Sequence, residues 1–174
     1  MRLLLISFFA LLTLNVAAQP KLTKTAFVSF YSELEDVTAT NYSGTSELNI
    51  ENGKLLFSFA IQSFYFENSL MQQHFNEADV MNSKEFPRAK FVGEITNNTA
   101  INYSVNGEYY VKVKGQLTIK GKTNPIELKA TIKITNGKIE ANAGFKIDRY
   151  LFGVDGKEGS ISQILEIKVK AIYE

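Results

Sequence analysis

Along most of this chain apolar and polar residues alternate with a period of two. The clearest run starts at Val111: Val111, Val113, Gly115, Leu117 and Ile119 share one face, and Lys112, Lys114, Gln116, Thr118 and Lys120 the other. Ile126, Leu128, Ala130, Ile132 and Ile134 repeat the pattern, followed by Ile139, Ala141, Ala143, Phe145 and Ile147, then by Leu165, Ile167, Val169 and Ala171. Alternation of this kind is the mark of strands with one dry and one wet face. Earlier segments fit the same reading: residues 24–31, residues 38–50, the run Leu55, Phe57, Phe59 and Ile61, residues 90–95, and a short strand at 101–105. Turns are predicted at Asn52-Gly53 (type I′), Asn106-Gly107, Gly121 to Pro125 and Asn136-Gly137.

One wet face per strand implies an antiparallel sheet. About eight strands in one domain must close or fold over, because open edges invite aggregation. The long runs and short turns favour closure into a barrel, with a two-sheet sandwich as the alternative. A transmembrane barrel fits less well, since Lys and Glu crowd the polar face and no aromatic girdle recurs at strand ends.

One segment breaks the period. Between Met71 and Gly93, Met71, Phe75, Ala78 and Met81 or Asn82 fall three or four apart, while Gln73, Asn76, Glu77 and Asp79 take the opposite face. Ser69 and Gln72 have capping-box spacing, and Pro87 ends the helix before Phe86. The expected architecture is therefore mainly β, an antiparallel barrel with one amphipathic helix over its mouth.

The first 18 residues read as a signal peptide: a basic start at Arg2, an apolar run from Leu3 to Leu14, and a cut after Ala18. Residues 19–174 then form one domain. Lys plus Arg number 19 and Asp plus Glu 18, and loss of Arg2 brings them level, which argues against nucleic acid as a partner. The chain has no cysteine, so an exported product is stabilised by its core alone.

Candidate chemistry is sparse. With one histidine, His74, and no cysteine, the usual nitrogen and sulfur metal sites cannot be built. A catalytic arrangement would run through His74 with Glu77 or Asp79, yet no nucleophile motif accompanies it. Arg149 has two readings: a fork for an anionic head group, or a clamp at a strand corner, the latter preferred. No metal or cofactor is expected. The barrel interior is either filled by side chains or holds one ligand. In the second case the expected lining is Phe57, Phe59, Ile61, Met71, Phe75, Met81, Phe86, Phe91, Val113, Leu117, Ile119, Leu128, Ile132 and Phe145.

Three ordered segments carry a resemblance. GQLTIKGKTNPIEL (Gly115 to Leu128), FKIDRYLFGV (Phe145 to Val154) and QHFNEADVMNSKEFPRAKFVG (Gln73 to Gly93) together resemble the YceI-like polyisoprenoid-binding family. The resemblance implies a lipocalin-like barrel, a non-enzymatic role, and an isoprenoid or other long-chain apolar lipid as ligand. It also implies a periplasmic or secreted location and a homodimer; transient membrane contact is expected for loading. The departures lie early in the chain: AFVSFYSELED replaces a His-Ser opening, and Met71-Gln72-Gln73 stands where an Arg-Asp pair is common.

Overall fold

The computed structural model describes residues 21–155 and 161–174; the expected signal peptide, the expected cut after Ala18, and Gly156 lie outside the described residues. The strands are β1 (Lys21–Ser32), β2 (Val37–Leu48), β3 (Lys54–Ala60), β4 (Tyr65–Phe66), β5 (Arg88–Ile95), β6 (Gly107–Ile119), β7 (Lys122–Thr135), β8 (Lys138–Asp148) and β9 (Ile164–Tyr173). Among the described residues there is one α-helix, α1 (Ser69–Phe75), between β4 and β5.

Neighbouring strands run β1-β9-β8-β7-β6-β5-β3-β2, and β2 pairs back onto β1. The sheet is thus a closed antiparallel barrel, and the sandwich is excluded. The two-residue β4 pairs with β2 beyond the point where β3 leaves it.

The alternation read from sequence sorts inside from outside as expected. Val111, Val113, Ile132, Ile134, Ile139 and Ala141 are buried, while Lys112, Lys114, Lys129 and Lys133 are exposed. Outer-face charges meet across strands, as in Lys114–Glu94 at 3.2 Å and Lys146–Glu166 at 2.9 Å.

Local geometry differs from expectation at several places. The helix is short and ends at Phe75. Its N-cap is Asn68, whose Oδ1 accepts from the amides of Leu70 and Met71 at 2.9 and 3.3 Å, so Ser69 lies inside the first turn. Gln72 instead accepts from the Phe66 amide at 3.4 Å, and no capping box forms. Asn76 stops the helix by turning its amide back onto the Gln72 carbonyl at 2.8 Å. From there the chain runs in turns, with Asn82 left-handed at φ 46° and Ala78 exposed.

At Asn52-Gly53 only Gly53 has positive φ, so the turn is not type I′. Asn49 accepts from the amides of Glu51 and Asn52 and winds a longer loop. Residues 101–105 form no strand: Asn98 and Asn102 hold local turns there, and β6 begins at Gly107. The β6–β7 turn lies at Lys120-Gly121, both left-handed, so Thr123 and Pro125 fall inside β7. Asn136-Gly137 is likewise left-handed at both positions, at 52° and 81°.

Candidate ligand-binding cavity

One end of the barrel is solid. Leu48, Ile134, Ile139, Ala171 and Tyr173 are buried there. The Tyr173 hydroxyl lies 2.5 Å from Ser46 Oγ, which itself donates to the Leu56 carbonyl at 2.8 Å. Burial pushes the Tyr173 hydroxyl pKa up, partly offset by the Ser46 hydrogen bond. Tyr103 is pushed up to about 12 by burial, and its hydroxyl donates to Asn98 Oδ1 at 2.8 Å.

The other half of the bore is open. Inward residues of β3, β5, β6, β7, β8 and β9 surround a cavity of about 180 Å³. The walls include Leu55, Phe57, Phe59, Ala89, Phe91, Val113, Leu117, Ile119, Ile126, Leu128, Ile132, Phe145, Ile147, Ile167 and Val169. Lys90 and Asn142 border it through outward-pointing positions of their strands. The lining is otherwise apolar, apart from Arg149.

Arg149 is only 2% exposed, and all three nitrogens of its guanidinium donate hydrogen bonds. It donates to the carbonyls of Val154 at 2.6 Å, Ser162 at 3.1 Å and Ile161 at 3.4 Å, and to the Tyr150 hydroxyl at 3.0 Å. Asp148 caps the same turn, accepting from the Tyr150 amide at 2.9 Å. The geometry is that of a backbone clamp. It uses the planar fork to tie the turn after β8 to the segment that leads into β9.

An aromatic cluster closes the open half beneath α1. Phe75, the last residue of the helix, lies 5.8, 5.4 and 5.0 Å by ring centroid from Phe30, Phe64 and Phe66. Met81 and Val80 complete the cover. Of the residues expected to line a ligand, Phe57, Phe59, Ile61, Phe75, Met81, Phe91, Val113, Leu117, Ile119, Leu128, Ile132 and Phe145 face the cavity. Met71 and Phe86 do not. Met71 packs half-buried at the core edge, because the short helix turns only Phe75 inward. Phe86 covers the β6–β7 turn, where its ring edge would stand 2.7 Å from a Cβ at Gly121. His74 is exposed. Among the described residues no cluster of three His, Cys, Asp or Glu side chains is placed to hold a metal.

Sequence reasoning missed the contribution of Phe30, Phe152 and Val154 to the cavity. Phe30 was legible only as strand bulk, and Phe152 and Val154 lie in a non-periodic turn.

The sequence model of the YceI-like domain matches residues 18–172. The chain belongs to the YceI-like family. Among its relatives, the UPF0312 protein of Pseudomonas putida strain W619 is 30% identical over 128 residues, 68% of this chain and 61% of that protein. The chain therefore spans about three-fifths of the length of the curated relatives it matches. Among solved structures, Burkholderia cenocepacia BcnA aligns at TM-score 0.71 and 18% identity, covering 84% of this chain and 95% of that one. A polyisoprenoid binding domain from Saccharophagus degradans aligns at TM-score 0.77 and 13% identity, covering 89% and 97%. At these identities the shared property is the YceI-like fold: a lipocalin-like barrel.

Proposed function

We propose that the protein is an exported, non-enzymatic binding protein that holds an isoprenoid or other long-chain apolar lipid in this cavity. The single observation that carries the reading is a bore walled almost wholly by hydrocarbon, whose one buried cation is consumed by backbone carbonyls. Such a site has nothing to offer a polar substrate. It offers an apolar chain roughly 0.8 kcal/mol for each methylene withdrawn from water. The structural likeness to a domain named for polyisoprenoid binding supports the choice of lipid. Exit from a bilayer into a dry cavity exchanges one apolar medium for another, so affinity against the membrane stays near balance, as suits a carrier in the periplasm or outside the cell. Membrane contact during loading belongs to the same reading.

The test is mass spectrometry of organic extracts from mature protein purified from its native host, paired with uptake of a prenyl lipid by emptied protein. A prenyl lipid near one per barrel is expected. Protein that carries none and takes up none overturns the proposal.

A further inference from the structure

The barrel is not zipped evenly. β7 and β8 pair from Thr135↔Lys138 only as far as Ala130↔Ala143. Below that point residues 122–129 of β7 pair with β6 alone, and residues 144–148 of β8 with β9 alone. The gap is framed at its far end by the turn after β8, where Asn124 Nδ2 donates to the Leu151 carbonyl at 3.0 Å. From Ala130 to Asn124 the opening is about 20 Å along the strand at the usual rise per residue.

Three features suit a lasting opening. Ile119 and Lys122 flank a two-residue hairpin and so exchange hydrogen bonds, which turns alternate residues of β7, Pro125 included, toward the gap. Pro125 has no N–H to donate, so this edge cannot continue the ladder at that position. Ala130, Ala143 and Gly144 are small where the strands part, and a Cβ added at Gly144 would meet only the Ile167 carbonyl, at 4.0 Å. Inside the gap, Ile126 and Leu128 of β7 and Phe145 and Ile147 of β8 line the cavity and are half-buried.

We propose that a lipid tail enters this cavity sideways through the β7–β8 seam and not through the end covered by α1. The inference rests on the lipid-binding reading above. Entry past α1 would break the ring contacts of Phe75 with Phe30, Phe64 and Phe66 together. Entry through the seam breaks no strand ladder, and among the described residues only the Asn124–Leu151 hydrogen bond spans its outer end. An apolar chain can slide laterally through such a slot while its polar end stays in water.

Continuing the β7–β8 register would set Glu127 opposite Lys146, both exposed. The chain has no cysteine, so Glu127→Cys with Lys146→Cys can be bridged selectively by a bis-maleimide with a reducible link. Glu94→Cys with Lys114→Cys, opposite each other on the fully paired β5–β6 seam, is the control. The readout is the rate at which emptied protein takes anthranilate-labelled geranylgeraniol from phosphatidylcholine vesicles. The β7–β8 bridge is expected to slow uptake at least tenfold, with recovery on reduction, while the β5–β6 bridge leaves it within twofold. Equal rates for the two bridged proteins overturn the seam as the entrance. Failure of the unbridged protein to take up any probe overturns the lipid-binding reading instead.

Discussion

Gly93 of β5 and Gly115 of β6 stand opposite each other in register, and the ring of Phe91 lies over both. A Cβ on Gly115 would come within 2.6 Å of Gly93 Cα and press on the Val92 carbonyl; one on Gly93 would come within 2.6 Å of the Phe91 ring. The paired glycines let one large ring lie flat in the wall of the cavity. These contacts tie together two of the sequence motifs, KFVG and GQLT, that carry the family resemblance.

Gly115→Val should therefore destabilise the barrel by about 3 kcal/mol or more, as overpacking against fixed backbone does. Gly137→Ala, where an added Cβ meets nothing within 4 Å, should cost only the strain of its left-handed φ of 81°. Urea denaturation of the two variants against the parent checks the ordering.

Arg149 distinguishes a clamp from a head-group site. Arg149→Met leaves the carbonyls of Val154, Ile161 and Ser162 without their donor and should cost about 3 kcal/mol or more. Arg149→Lys keeps the charge but loses the fork, and should recover less than half of that. Lipid bound per folded molecule should be unchanged in Arg149→Lys. A loss of lipid without a loss of stability would contradict the clamp.

Alkaline pH should loosen the solid end. Tyr103 and Tyr173 have hydroxyl pKa values raised by burial above the ordinary 10.0, Tyr103 to about 12. A raised folded-state value means the folded form holds its proton longer than the unfolded one. The stability it contributes is full below pH 10 and is lost as pH rises through about 12. Urea midpoints of the parent should fall across this window more steeply than those of Tyr103→Phe with Tyr173→Phe. Near pH 8 the double variant should be weaker by about 1 kcal/mol per lost hydrogen bond.

Filling the bore should separate binding from folding. Leu117 and Leu128 face the cavity and are half-buried, so Leu117→Trp or Leu128→Trp has room to enter it. Either variant should stay folded by circular dichroism while prenyl-lipid uptake falls by at least tenfold. Met71→Trp, outside the cavity, should retain uptake.

Much of the barrel is legible in the sequence alone. From Val111 to Ile147 each apolar position that alternation pointed inward faces the interior, because a strand's side chains obey period two whatever surrounds it. The helix was legible in existence but not in length. Its apolar spacing runs on to Met81, yet Asn76 turns its side-chain amide onto the Gln72 carbonyl and the helix ends after Phe75, with Asn82 left-handed in the turns that follow. Met71 and Phe86 lie outside the cavity for different reasons: Met71 is in the helix, of which only Phe75 turns inward, and Phe86 lies beyond it against the turn at Gly121.

The sequence by itself determined the antiparallel sheet, the inward set of each long strand and the family, since these depend on local period and on ordered motifs. Only the tertiary structure decided that the barrel is solid at one end and hollow at the other, that Arg149 faces carbonyls, and that β7 and β8 part below Ala130 and Ala143. Those outcomes depend on how far each strand pairs with a neighbour distant in sequence. Closure fixes that pairing through all eight strands of the barrel at once, and no single segment encodes it.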